Sequence, residues 1–216
     1  MIPGIDLIDL IGTVGVIGVM AIIFAESGLL LGFFLPGDTL LFTAGFLATE
    51  NVFNVSVHVL ILYLIAAAIA GEAVGYMFGE KVGHRIFKRQ NSLLFHPDNL
   101  VRAEKFYEKY GPVTIMLARF IPLVRTFVPI VAGAAKMDKK AFAIYNVLGA
   151  MLWVAPIVYI GYFFGDWLES RGIEIDHLIL PIIGTVMLIT LASPVIHMLR
   201  EKDSRDKLLK KLRLKR

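Results

Sequence analysis

The sequence predicts an all-α, multi-pass membrane protein: about four full spans plus two re-entrant helical hairpins that enter from opposite faces as an inverted repeat. Three observations carry this expectation. Hydrophobic residues fill 57% of the 216 positions, against roughly 45–50% in a soluble chain, and charged residues only 19%, against about 25%. The mean hydropathy is +0.71. Apolar runs of span length recur along the chain, and two of them are interrupted by proline, glycine and charge.

Taken in order, residues 10–25 (LIGTVGVIGVMAIIFA) are uncharged but short of the roughly 20 residues that a crossing needs. Adding Ile5 to Ile8 gives a first span with Asp6 and Asp9 near its end. No basic region or small-residue cleavage site marks this N-terminus as a removed signal peptide. Residues 28–48 (GLLLGFFLPGDTLLFTAGFLA) are long enough to cross but carry Pro36, Gly37 and Asp38 in their middle. Residues 56–79 form a span holding one acid, Glu72. A charged, amphipathic linker, 80–110, precedes the interrupted stretch 111–135, which contains LARFIPLVRTFVPIVAG. Residues 141–165 and 177–199 are two further spans, so 1–199 read as a single membrane domain followed by a basic tail, 200–216.

The distribution of basic residues orients these pieces. Seven lysines and arginines lie between Glu80 and Gly111, nine lie between Arg200 and Arg216, and the loop 166–176 has Arg171 alone among four acids. Positive charge favours the cytoplasmic side, so the central linker and the tail are expected inside and the loop 166–176 outside. The stretch 111–135 then starts from a cytoplasmic linker, and the span after it starts beside Lys136, Lys139 and Lys140, also cytoplasmic. It must enter and leave on one face, with Pro122 and Pro129 as the turning points of its backbone. The same reasoning makes 26–48 a hairpin that dips in from outside, broken at Pro36 and Gly37, with a cytoplasmic N-terminus. Facing hairpins of this kind bring discontinuous helices to the bilayer midplane, where transporters commonly bind substrate.

Glu26, Asp38, Arg119 and Arg125 lie in or beside the interrupted segments. Each would cost roughly 2.5–3.5 kcal/mol at a helix centre, so they must face one another, water or a charged ligand. One reading is structural: two acids and two arginines staple the hairpins, with Asp38 as an N-cap after the break. The other is an anion site, most naturally for phosphate, because the guanidinium fork matches phosphate oxygens and a broken helix offers free N–H groups. Glu26 and Asp38 would then exchange a proton while substrate and acid compete for the arginines. Glu72 stands beside Gly71, Gly75, Gly79 and Gly83, a small-residue stripe suited to close helix packing, and is either a relay acid or a structural group.

Other features argue against other chemistries. The chain has no cysteine, and its five histidines form no metal-binding spacing, so no metal site is expected. It has no P-loop, and no cofactor is expected. A net charge of +4 would suggest nucleic acid in a soluble protein, but here the basic residues act as topology signals, and no nucleic-acid partner is expected. Trp153 reads as a buried span residue and Trp167 as an interfacial anchor.

The joint occurrence of Glu26 with the F-x-P-G-D element ending at Asp38, and of R-F-x-P-x-x-R-x-x-x-P-x-x-A-G from Arg119 to Gly133, resembles the DedA family, also called the VTT or SNARE-associated domain family. The G-E-x-x-G-Y-x-x-G run from Gly71 and the N-x-x-G-x-x-x-W run from Asn146 to Trp153 fit it as well, although Glu72 stands where members usually have Asp. The resemblance covers about residues 20–165. It implies two facing re-entrant hairpins in the bacterial cytoplasmic membrane, with Glu26, Asp38, Arg119 and Arg125 at the positions of the family's essential acids and arginines. It further implies movement of undecaprenyl phosphate, with protons and membrane lipids as the other partners. A phospholipid flippase or scramblase is the alternative within transport. A membrane-embedded lipid phosphatase is disfavoured because no histidine or serine lies in the arginine hairpin. A purely structural factor is the third alternative.

Overall fold

The computed structural model describes residues 7–29, 37–86 and 107–172, together with 101 and 105. All of these belong to one compact unit, residues 1–173. Pro36, the middle of the 80–110 linker, the expected span 177–199 and the tail 200–216 lie outside the described residues. Among the described residues the helices run in the order α1 (Leu7–Gly28), α2 (Gly37–Leu47), α3 (Val57–Ile86), α4 (Val113–Ala118), α5 (Pro122–Ala134) and α6 (Lys139–Ser170), with a further short helical piece just before Gly111. The described residues contain no strand.

The helices differ in what their length permits. α3 and α6, of 30 and 32 residues, are apolar and at 1.5 Å per residue exceed the roughly 30 Å of a hydrocarbon core. α2 and α5, of 11 and 13 residues, reach only about 16 and 20 Å and cannot cross it. α6 leaves Leu148, Met151, Leu152, Ile160 and Phe163 exposed. A soluble helix would bury such a surface, whereas lipid is its natural solvent.

Local chemistry sets the boundaries. The Asp138 carboxylate accepts from the Ala141 amide at 2.7 Å and caps the start of α6. Lys136, with φ 53°, turns the chain out of α5 in the left-handed region. The expected break in 111–135 lies at Arg119–Ile121, where Ile121 is extended and Pro122 opens α5. Pro129 corrects the expectation: it lies inside α5 and is not a turning point. Its ring packs against Gly75 of α3, where an added Cβ would come within 3.1 Å of Pro129 Cβ. The missing amide leaves the Arg125 carbonyl without its ladder donor, so the cost falls on one hydrogen bond within a packed helix.

Packing follows the glycines. α3 runs along α1 and α5, and α2 runs along α6. A Cβ on Gly79 would overlap the Ile130 carbonyl, and one on Gly133 the Tyr76 carbonyl. The α2–α6 crossing repeats the device, with Gly45 against the Val158 carbonyl and Gly161 against that of Phe42. In each of the four helices the glycine stands three residues after the carbonyl that its partner helix approaches. Both crossings thus bring backbone directly against backbone. The main apolar core lies among α1, α2, α3 and α6, including Ile23, Leu41, Leu60, Leu64, Val154 and Val158. A smaller cluster joins Tyr76, Ile115, Ala132 and Phe142.

Candidate functional site

Each charged side chain arrives from a different helix. The last turn of α1 supplies Glu26, the first turn of α2 supplies Asp38, and the middle of α3 supplies Glu72. Arg119 sits at the break after α4, and Arg125 in the first turn of α5. α6 contributes Asn146, Gly149 and Trp153, three and four residues apart on one helix face.

These groups form two stations. At the first, Arg119 Nη2 lies 2.7 Å from Glu72 Oε1 and donates to Asn146 Oδ1 at 2.9 Å. Asn146 Nδ2 in turn donates to the Ile69 carbonyl at 3.1 Å, which fixes the amide's orientation. The Arg119 and Glu72 side chains are 2% and 5% exposed, so this pair is sealed. Among the described residues, Arg119 Nε and Nη1 are buried without a hydrogen-bond partner. A Cβ at Gly149 would lie 3.5 Å from Arg119 Nε, so the glycine gives the guanidinium its space.

At the second station Arg125 holds two acids, donating from Nη2 to Glu26 Oε1 and from Nη1 to Asp38 Oδ1, the latter at 2.9 Å. Trp153 Nε1 donates to the same Asp38 oxygen at 2.7 Å. The Arg125 and Glu26 side chains are 10% and 1% exposed, but that of Asp38 is 50% exposed. This station is therefore open at one edge. Glu26 Oε2 is buried with no partner among the described residues. Gly37 is needed here for close approach, because a Cβ on it would overlap the Glu26 carboxylate.

Trp153 joins the stations. Its ring centroid lies 4.8 Å from the Arg125 guanidinium carbon and 5.7 Å from that of Arg119, within cation–π range of both. Three carboxylates, Glu26, Asp38 and Glu72, thus face two guanidiniums in a mostly buried cluster, leaving one formal negative charge in excess. An apolar groove of about 720 Å³ runs along α4 and α5, with Leu117, Ala118, Ile121, Val124 and Val128 in its lining and none of the cluster residues.

Sequence reasoning treats Arg119, Arg125, Glu26 and Asp38 as one set. The structure instead pairs Arg119 with Glu72 and leaves Arg125 with Glu26 and Asp38. Asp38 is engaged by Arg125 and Trp153 rather than standing only as a helix cap. Asn146 and Trp153 are site residues that sequence reasoning misses. Their signal lies in the spacing Asn146, Gly149, Trp153, which lines one side of a helix with two hydrogen-bonding groups around a gap. Among the described residues, no group of three or more His, Cys, Asp or Glu side chains is arranged to hold a metal ion.

Comparison with known proteins gives a consistent family. The model for the VTT domain matches residues 35–163, a range that takes in every cluster residue except Glu26. The chain is similar to Protein DedA of Escherichia coli K12, at 44% identity over 181 residues, 84% of this chain and 80% of that protein. It is similar to an uncharacterized membrane protein of Mycobacterium leprae at 39% identity over 145 residues, 67% of this chain and 64% of the other. It is also similar to the inner membrane protein YqjA of Escherichia coli K12, at 34% identity with the same coverage. No solved structure matches.

Proposed function

The chain belongs to the VTT-domain, or DedA, family of membrane proteins, and from that premise we propose that it carries a lipid phosphate, undecaprenyl phosphate, across the bacterial cytoplasmic membrane. The observation that carries the reading is Arg125: a guanidinium buried at the meeting of short helices, held by two acids, one of which is half exposed. A phosphate reaching that edge competes with Asp38 for Arg125. The lipid's hydrocarbon stays in the bilayer, and the groove lined by Ala118 and Val124, each next to an arginine in the chain, offers it a path beside the headgroup.

Charge balance supports proton coupling. The cluster already carries one carboxylate more than it has guanidiniums, so an arriving phosphate adds negative charge to a site of low dielectric, where like charges repel strongly. A proton taken up by Glu26 or Asp38 as substrate binds offsets that repulsion. Glu26 is well placed for this, since its Oε2 is buried and has no partner among the described residues.

The two short helices that open at Gly37 and Pro122 are the second arms of the two re-entrant hairpins in this reading. The matching glycine crossings of α2 on α6 and α5 on α3 support an inverted repeat. Both termini are then cytoplasmic.

The test is movement of undecaprenyl phosphate in proteoliposomes, with and without a pH gradient, for the parent protein and Arg125→Ala. Movement that is lost in the variant and driven by the gradient is expected. If undecaprenyl phosphate stays put while phosphatidylethanolamine moves, the protein is a phospholipid flippase or scramblase instead.

A further inference from the structure

Asp38 Oδ1 is an unusual acceptor because two buried donors from different helices converge on it. Arg125 Nη1 reaches it from α5 at 2.9 Å and Trp153 Nε1 from α6 at 2.7 Å. The donors are buried, with the Arg125 side chain 10% and Trp153 4% exposed, while the acid that they hold is 50% exposed. Nearly buried donors holding a half-exposed acceptor describe a binding seat occupied by the protein's own anion.

We propose that Arg125 Nη1 and Trp153 Nε1 form a two-donor seat for one oxygen of a phosphate monoester, and that Asp38 occupies this seat when substrate is absent. The assignment rests on the lipid-phosphate reading above and adds Trp153 as a substrate-binding residue. Carboxylate and phosphate oxygens accept the same charge-assisted hydrogen bonds at about 2.7–2.9 Å, so the donors need not move when one replaces the other. The indole N–H donates only, and the guanidinium donates only, so the seat accepts anions and refuses cations and donor groups. The indole face, 4.8 Å from the Arg125 guanidinium carbon, also holds the fork in its orientation. Arg119 is left out of the seat in this proposal, because its side chain is 2% exposed and its Nη2 is bonded to Glu72 and Asn146. Phosphate specificity therefore belongs to one arginine and one tryptophan, and Asp38 sets how readily the seat is vacated.

The sequence has two tryptophans, so Trp167→Phe leaves Trp153 as the sole indole emitter. This variant in neutral-lipid nanodiscs is titrated with a short-chain polyprenyl phosphate, and in a parallel arm with inorganic phosphate, following tryptophan emission. A saturable change in emission is expected with the polyprenyl phosphate, and the inorganic arm tells whether phosphate alone suffices or the chain is needed. Asp38→Asn, which removes the competing anion, should tighten binding by about tenfold, and adding Trp153→Phe should weaken it again by roughly tenfold or more, as for a lost hydrogen bond to a charged group. That last step is read with radiolabelled lipid, and the emission titration, with Trp153 intact, is independent of how well the phenylalanine variant folds. Unchanged Trp153 emission on binding, or equal affinity with and without Trp153 when Arg125→Gln abolishes binding, overturns the seat and leaves the transport reading standing. Failure of the Asp38→Asn protein to bind any polyprenyl phosphate overturns both.

Discussion

The two arginine stations share one tryptophan, yet they are built differently. Arg119 sends two bonds from a single nitrogen, Nη2, to Glu72 and Asn146, and is 2% exposed. Arg125 uses two nitrogens for two acids, one of them reaching the half-exposed Asp38. The first is a closed contact that needs a positive charge at a point. The second needs the planar fork and keeps one side available. Each station thus holds one buried acid, Glu72 or Glu26, and what separates them is the additional half-exposed acid, Asp38, at the second.

The largest effect should come from removing an arginine. Arg119→Ala leaves Glu72 buried and uncompensated, and should lower stability by about 3–5 kcal/mol, read as thermal unfolding in detergent, with a second change, Glu72→Gln, recovering part of it. Arg125→Ala leaves Glu26, 1% exposed, uncompensated in the same way and should cost a similar amount, whereas Asp38→Asn, at a side chain 50% exposed, should cost markedly less. A loss for Asp38→Asn as large as for either arginine would erase the distinction between the buried acids and the exposed one.

Lysine swaps sharpen the comparison. Arg125→Lys loses the fork and one of two charge-assisted bonds, so transport should fall by roughly ten- to a hundredfold. Arg119→Lys can still present one nitrogen to Glu72 and Asn146 and should stay within a few-fold of the parent. A reversed order in a flux assay would make Arg119 the substrate ligand.

The smallest expected contrast lies in the glycines that make room for each station. Gly37→Ala drives a Cβ into the Glu26 carboxylate and should cost about 1–3 kcal/mol as an overpacked site. At Gly149 the nearest atoms to an added Cβ are 3.4–3.6 Å away, so Gly149→Ala should shift the midpoint of unfolding little. Paired melting curves of the two variants decide it.

Much of the site is legible in the amino-acid sequence, for a physical reason. A charge within an apolar run is costly, so Glu26, Asp38, Arg119 and Arg125 stand out as residues that must be satisfied somewhere. Their partners are less visible. Nothing local links Arg119 to Glu72, because the pairing is set by how α3 and α4 are placed around α6, which is a tertiary fact. Trp153 and Asn146 do not stand out as site residues because an uncharged side chain in a span raises no alarm, although together with Gly149 they line one face. Pro129 misleads in the opposite direction. Proline in a membrane helix suggests a break, but here its ring fills the hollow over Gly75 and the helix continues. The all-helical character is legible throughout because the apolar runs are long and the composition leaves few alternatives.

The paired glycine crossings have a mechanical consequence. Where Gly45 meets the Val158 carbonyl and Gly79 meets that of Ile130, the helices touch through backbone, with side chains such as Phe42 and Phe46 packed on Phe164 beside the first crossing. Interlocked knobs must change rotamer before one helix can slip past another, whereas smooth backbone surfaces in contact can shear over small distances without that barrier. α2 carries Asp38 and α5 carries Arg125. The two partners of the Asp38–Arg125 contact therefore ride on different short helices, and a roll of either one along its long partner would change their separation.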